Sequence, residues 1–526
     1  MKRIFLTVFS VLSLLVLPSC GGWLNLEPED GVIREKYWQT KEEAESALMG
    51  CYAQLLNSEM MVRYFVWGEM RADQVINTSR ANSDIIAIRD GEITAENRYC
   101  TFSHFYQAIN QCNTLIELAP TAQDNDDSFT DLLLKQYQAE AVCIRSLCYF
   151  YLARTFRDVP YITAASIYDD QEYSVAKTSQ DEIFAHLVED LLSVQSYIPS
   201  SYGTTAESKG RFTLWALKAM LADIYLWQEN YAACNEMCTQ VINSGQYSLI
   251  PVKRTQSQVL NSTGEYVDIY EANEADMNEM FNQLYVQGNS IESIFELQNG
   301  TDYNNPFYTW FRPVSGYLTP NTDEMSAFFP SSELSSSKWR DIRKEVSIKQ
   351  NAIWKWIGLN EAEYRASDAS FANWIFYRLP DVMLMKADAL TQLAKAAGGD
   401  STMLQEAYDI VETVRARANA TETTAYDYMS DSELTPSALE KWVLEERSRE
   451  LIFEGKRWFD VLRYAKRNDY ANLEYLVNLA VRATTPEKVT VKQTKWSTAP
   501  YGSHYLPLPQ SEIRINKQLV QNEFYN

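Results

Sequence analysis

Three carboxylates, Glu446, Glu450 and Glu454, recur every fourth residue, which places them on one face of any helix that carries them. Paired carboxylates do the work of glycoside hydrolysis, so this column could support acid/base chemistry. Like charges at that spacing repel unless cations intervene. Arg447, Arg449, Arg457 and Arg463 lie in the same stretch, and an ion-pair network that braces the fold is the favoured reading. A second chemistry-bearing region runs from Tyr303 to Trp374, rich in Tyr, Phe and Trp among Asn, Ser and Pro. An aromatic platform flanked by Asn, Asp and Arg suits a ligand with apolar faces and a polar rim, such as a sugar ring. Tyr303, Tyr308, Trp310 and Tyr317 rank highest for stacking, and Asp302, Asn304 and Arg312 for polar orientation. Asn77, Arg80, Arg98 and Tyr99, in an earlier polar loop, form a candidate second wall.

No Gly-x-Gly-x-x-Gly, P-loop, zincin or Gly-x-Ser-x-Gly motif occurs, so catalysis has no positive support and no cofactor is expected. Three histidines, His104, His186 and His504, are too scattered to form a motif, and no metal site is expected. The chain is acidic, with 70 Asp and Glu against 47 Lys and Arg, which disfavours nucleic acid as a ligand.

At the start, Lys2 and Arg3 precede an apolar run from Ile4 to Leu17, followed by Pro18-Ser19-Cys20. This reads as a secretory signal peptide over residues 1–19. Cys20 directly after a small residue resembles the lipobox of bacterial lipoproteins, where the cysteine is acylated and becomes the new N-terminus. Several acyl chains, at about 0.8 kcal/mol per buried methylene, would hold the mature chain to a membrane. Loss of Lys2 and Arg3 with the leader takes the formal charge from −23 to −25. Residues 20–36 then form a lipidated tether. The seven remaining cysteines show no Cys-x-x-Cys spacing, and Cys143, Cys148, Cys234 and Cys238 fall on packed helical faces, where cysteine acts as a small hydrophobe.

The elements that must position these groups are mostly helices. Arg211 to Gln228 is apolar nearly all round and must be covered by protein on every side; Lys218 and Asp223 argue against a membrane span. With Tyr231 to Val241 it forms a helix hairpin whose Leu221-Ala222-x-x-Tyr225 and Cys234-x-x-x-Cys238 fit the tetratricopeptide pattern. Further helices are expected over 41–56, capped by Thr40 with Glu43, and over 102–117, 131–156, 179–197, 380–397, 404–418, 437–453 and 458–466. From 246 to 373 helical periodicity fades, and Ile291 to Leu297 and Ala352 to Ile357 read as strands.

In order along the chain, these pieces resemble the SusD/RagB family. The residues that carry the resemblance are Tyr377-Arg378-Leu379-Pro380-Asp381 with the helix after it, and Glu446-Arg447-Ser448-Arg449-Glu450 through Glu454-Gly455-Lys456-Arg457-Trp458-Phe459-Asp460. Supporting matches are Trp67 to Asp73, Glu140 with Arg145, Phe156-x-Asp158-Val159-Pro160, Gly210-Arg211 and Gln521-Asn522. Lys386 departs from the pattern where an aromatic is usual, and Arg157 where glycine is frequent; neither bears on the ligand site. The resemblance implies a mainly α fold, a body of tetratricopeptide-like helical pairs with a loop-rich, partly irregular ligand-binding face and a few short strands. It divides the mature chain into an N-terminal helical region (37–245), a loop-rich aromatic region (246–373) and a C-terminal helical region (374–526).

By the same resemblance the protein is expected at the outer membrane, lipid-anchored on the cell surface. There it would bind an oligosaccharide, with a peptide as the other possibility, and deliver it to a SusC-like TonB-dependent transporter. A structural scaffold and a surface glycoside hydrolase are the alternatives.

Overall fold

The computed structural model describes residues 37–167, 171, 173–261, 263–329, 341–420 and 434–525; Cys20, the tether and Trp339 lie outside them. Eleven of its helices carry the architecture. They are α1 (Lys41–Leu55), α2 (Ser58–Glu69), α3 (Ser103–Asn125), α4 (Asp131–Phe156), α5 (Gln180–Val194), α6 (Leu214–Trp227), α7 (Tyr231–Ile242), α8 (Leu379–Ala396), α9 (Ser401–Arg417), α10 (Pro436–Glu450) and α11 (Arg457–Tyr470). Thr40 and Glu43 form a capping box at the start of α1, as their spacing predicts. Helix α3 runs two turns further than its sequence suggests, straight through Pro120. Proline has no N–H to offer the carbonyl four residues back, and Gln138 of α4 satisfies that Ile116 carbonyl instead at 2.9 Å.

Consecutive helices stack: α3 on α4, α4 on α5, α6 on α7, α8 on α9. The stack continues across the irregular stretch, because α7 packs directly on α8 although more than 130 residues separate them. A single apolar cluster reaches from Trp38 to Leu519 and includes residues from all three sequence regions; a smaller one joins α8, α9 and α10. No helix among the described residues is long and apolar enough to cross a membrane. In α6, Asp223 is buried but paired with Arg154 at 3.3 Å and with the Tyr377 hydroxyl at 3.2 Å.

Six strands matter to the irregular stretch: β1 (Val75–Asn77), β2 (Arg254–Leu260), β3 (Tyr266–Ala272), β4 (Ser293–Leu297), β5 (Leu318–Pro320) and β6 (Trp374–Arg378). Strand β4 pairs antiparallel with β6 and both are buried throughout, so their sequences do not alternate, and the polar Ser293, Glu296 and Arg378 are buried with the apolar residues. The hairpin β2–β3 escapes a reading by periodicity because its first strand is almost wholly exposed and polar. The expected strand over 352–357 is corrected: after two strand residues, Trp354–Ile357 forms a helical turn. A short, fully buried apolar run does not reveal its period.

Glu446, Glu450 and Glu454 are buried and neutralised by cations from elsewhere in the chain. Glu446 meets Arg343 and, at 3.1 Å, Arg415. Glu450 meets Arg417 and, at 2.6 Å, Arg378. Glu454 meets Lys355 at 2.7 Å and Arg378 at 2.8 Å. This corrects the partners read from sequence. Of the four nearby arginines, Arg449 approaches the column, 3.6 Å from Glu446. Arg447 turns to Asp381 and Asp460, Arg457 to Asp73, and Arg463 to Asp460 and Asp388.

The segment after this column locks onto the end of α2 and the residues that follow it. Gly68 lies so close to Gly455 that a Cβ on it would stand 2.0 Å from the Gly455 oxygen. Glu69 accepts from the Gly455 and Lys456 N–H groups at 2.8 and 3.2 Å, Arg457 pairs with Asp73 at 3.0 Å, and the Arg71 guanidinium lies 4.4 Å over the Trp458 ring.

Two predictions follow from these buried contacts. Gly68→Ala forces backbone apart and is expected to cost about 1–3 kcal/mol or more in urea denaturation; an unchanged midpoint would refute the interlock. The second concerns acid. Lys456 and Arg447 hold Asp381 down at about 2 against the desolvation that opposes them, and the arginines likewise depress Glu446, Glu450 and Glu454. A carboxyl depressed in the folded state contributes stability above its unfolded pKa and loses it as pH falls through the folded one. For Asp381 alone this is about 2 kcal/mol, lost between roughly pH 4 and pH 2. Burial acts oppositely on Glu69, raised to about 8, and on Glu292, so neither contributes to acid loss. Thermal midpoints measured from pH 6 to pH 2 should therefore fall steeply below pH 4.

Candidate ligand-binding face

The face is built outward from β1. Its preceding residue, Gln74, donates to the Ser448 carbonyl of α10 at 2.8 Å, and β1 pairs antiparallel with β5, Asn77 opposite Leu318. That pairing brings the loop after β1 against the aromatic loop before β5. Thr78 donates its N–H to the Tyr317 carbonyl at 2.9 Å and its hydroxyl to the Gly316 carbonyl at 2.6 Å. The two walls expected from sequence therefore meet.

Where they meet, Trp310 stands edge-on between Tyr99, 5.8 Å away, and Tyr317, 5.6 Å away. Trp310 is 6% exposed and Tyr99 4%. The stacking role expected of Trp310 is thus corrected to a supporting one, since neither face of its ring is open; Tyr99 is likewise a prop, its hydroxyl accepting from Asn82 at 2.9 Å. Asn77 is half-buried and accepts from Arg89. Tyr317 is half-buried. Arg80 is exposed, and Arg98, also exposed, pairs with Asp84 at 2.9 Å.

The rings that do face outward lie on the other side of the short helix Phe307–Phe311. Phe307 and Phe311 fill the core, Phe307 against Trp356 and Trp374. Asn305, buried, fixes the loop by donating to the Ala372 carbonyl at 2.7 Å and accepting from the Phe307 N–H at 3.0 Å. On that base Tyr303 is 48% exposed, Asp302 and Asn304 are exposed, and Tyr308 is half-buried beside Tyr364 at 6.4 Å. The Arg312 guanidinium lies 5.3 Å over the Tyr308 ring, and its Nε is buried without a hydrogen-bond partner.

Sequence reasoning missed Tyr364 and Val314. Tyr364, 42% exposed, follows the polar run Asn360 to Glu363, which gives no hint that a ring there joins the face. Val314 is fully exposed with φ +66°, a conformation that a β-branched residue adopts at a cost of about 1–3 kcal/mol.

Comparison with known proteins places this architecture. Residues 271–525 match the family model described as the SusD family, and residues 29–226 match one described as "Starch-binding associating with outer membrane". The chain belongs to the SusD/RagB family. A SusD-like protein of Formosa agariphila is 26% identical over 496 residues, covering 88% of this chain and 92% of the relative. Among solved structures, a SusD superfamily protein from Bacteroides vulgatus superposes with a TM-score of 0.70 at 20% identity, covering 93% of this chain and all of that one. One from Parabacteroides distasonis gives 0.65 at 22%, covering 92% and 99%. These likenesses establish the fold, and the family description supports association with the outer membrane.

The SusD motifs have visible structural work. Glu140 pairs with Arg211 at 2.6 Å and accepts from the Tyr52 hydroxyl at 2.7 Å. The Gln521 amide exchanges two hydrogen bonds with the Leu508 backbone at 2.8 and 2.9 Å, and Asn522 donates to the Phe156 carbonyl that ends α4 at 3.1 Å. At the departure Arg157, φ is +72° and ψ −84°, a position glycine would occupy without the strain that a side chain incurs.

Because Trp310 is a core ring, Trp310→Ala is expected to destabilise by about 3–5 kcal/mol. A denaturation midpoint shifted by less than about 1 kcal/mol would show that the ring belongs to the surface instead.

Proposed function

We propose that this protein is a lipid-anchored capture protein that holds an oligosaccharide on the face of Tyr303, Tyr308 and Tyr364 and passes it to a TonB-dependent transporter. The observation that carries the reading is an outward-facing set of tyrosines with Arg312, Asp302 and Asn304 around them, seated on a buried base. Planar rings offer stacking area to the apolar face of a sugar, and the flanking amide, carboxylate and guanidinium suit its hydroxyls. Tyr317, Asn77, Arg80 and Arg98 lie on the other side of the short helix, where Tyr99 packs on Trp310 and Trp310 on Tyr317. The family's role as binding proteins, without bond-making residues, agrees with this.

Cys20 is the lipid attachment point in this reading, and residues 20–36 the tether. Seventeen residues span at most about 60 Å when fully extended, enough to hold the body near a membrane partner. Weak binding then suffices, because tethering beside the transporter makes the hand-over effectively intramolecular.

Titration calorimetry of the whole chain in detergent, against a panel of polysaccharides and peptides with chromatography of the recovered ligand, tests the proposal. A bound oligosaccharide should be recovered intact. Tyr303→Ala and Tyr308→Ala should each weaken binding by about 1 kcal/mol, roughly fivefold in Kd, without moving the thermal midpoint. No binding anywhere in the panel, or shortened products, would overturn it.

A further inference from the structure

A second concave region lies where α4 ends, α5 begins and the C-terminal tail returns. Two adjoining hollows of about 320 and 260 Å³ share Arg157, Asp158, Pro500 and Tyr505. Three cations border them: Arg157, Lys177 and Lys466. Many buried arginines of this acidic chain are matched to carboxylates, Arg378 and Arg417 among them, whereas the two lysines here are met by neutral amides. Lys466 donates to the neutral amide of Gln180 at 2.9 Å, and Lys177 to that of Asn522 at 3.3 Å. Among the described residues neither ammonium forms an ion pair with a carboxylate. The Arg157 guanidinium, half exposed, has the carboxylate of its own neighbour Asp158 at 3.9 Å.

The polar groups around these cations are fixed. Gln180, 4% exposed, is held by its amide, which donates to the Ala153 carbonyl at 2.7 Å, so its oxygen is presented to Lys466 by design of the helix ends. Lys466 also lies 5.5 Å from the Trp227 ring and 5.9 Å from Tyr505. Three carboxylates line the hollows, Asp158, Asp181 and Glu523, and Glu229 acts on Lys466 from nearby. Asp158 accepts from the Gln180 N–H at 3.1 Å, and Asp181 is exposed in the first turn of α5. The backbone is strained at the same place: Arg157 at φ +72° and Tyr470 at φ +63° both line the smaller hollow in left-handed conformations.

We infer that this cleft is an oxyanion-binding site, in which Arg157, Lys177 and Lys466 receive a sulfate, phosphate or carboxylate group. Arginine offers paired donors to such a group, and lysine a point charge. Desolvation lowers the proton affinity of both lysines, and a bound anion would reverse that effect. The site shares no residue with the aromatic face, so it goes beyond the capture reading and stands independently of it. The anion is either free in solution or carried on a nutrient as a sulfate ester or uronate.

Calorimetry of the whole chain with sodium sulfate, phosphate and acetate at fixed ionic strength tests the site. Saturable binding is expected, weakened about tenfold or more by Arg157→Gly and by Lys466→Gln. Arg157→Gly relieves the left-handed strain and should leave the thermal midpoint unchanged or higher, so loss of binding in it is not loss of fold. An oligosaccharide carrying sulfate or uronate that binds tighter than the free anion, with the same sensitivity to both variants, assigns the anion to a nutrient. No gain over the free anion assigns it to solution. Absence of saturable binding by the unaltered chain, or binding indifferent to both substitutions, overturns the inference.

Discussion

Glu446, Glu450 and Glu454 lie buried in one column, and the cost of stripping water from three carboxylates obliges cations to reach them from four other segments. Arg343 comes from the helix Ile342–Ser347, Lys355 from the turn Trp354–Ile357, Arg378 from β6, and Arg415 and Arg417 from α9. Removing one partner from such a network typically costs about 3–5 kcal/mol, because the other charge is left buried alone. An apolar column of equal volume would hold the helix at similar stability. What the charges add is register, since each guanidinium fits its carboxylate pair at one placement of the loop that carries it.

That register is what a stretch with little regular structure needs. Between α7 and α8 the chain has short strands and single helical turns, whose own hydrogen bonds do not fix where they sit. Arg343 ties this stretch to Glu446 of α10 and Lys355 ties it to Glu454 in the turn after α10, and β4 joins it to β6. From the same α10, the Ser448 carbonyl holds Gln74, Gln74 leads into β1, and β1 pairs with β5. The aromatic loop before β5 is thus positioned through the Gln74–Ser448 hydrogen bond and the β1–β5 pairing. The interlock of Gly68 with Gly455 closes the circuit between residues almost 400 apart in sequence.

The helices were legible because their period and caps are local: Thr40 with Glu43, and the boundaries Asp131 and Phe156 of α4, lie where the residue pattern puts them. The partners of the carboxylate column were not, since Arg343 and Arg378 are as near to it in space as Arg447 is in sequence, and no periodicity carries that information. The same limit applied to the site. Sequence placed rings and polar groups in one loop, and the β1–β5 pairing that brings the second stretch beside it carries no local signal. Which rings point outward depends on the 3.6-residue turn of Phe307–Phe311, which sends Phe307, Trp310 and Phe311 inward and leaves Tyr308 at the surface. Tyr364 lies more than 50 residues from Tyr308 and joins it through the fold alone.

Strain is unevenly distributed over this surface. Val314 stands fully exposed at the tip of the aromatic loop, and Arg157 stands at the mouth of the cationic cleft, both in left-handed conformations that glycine would adopt freely. Neither is forced by core packing, since both side chains reach solvent. Buried and half-buried turns adopt such conformations too, at Gly455 with φ +72° and Gly288 with φ +69°, and also at Phe453 and Asn419, whose side chains are wholly buried. Beside the aromatic loop, Tyr99 and Trp310 pack edge to face and fix the wall that the β1–β5 pairing brings together. At the cleft, a fixed Gln180 and a strained Arg157 present charge. The helical stack holds both surfaces in place, and the loops and helix ends at its edges supply the groups that meet solvent.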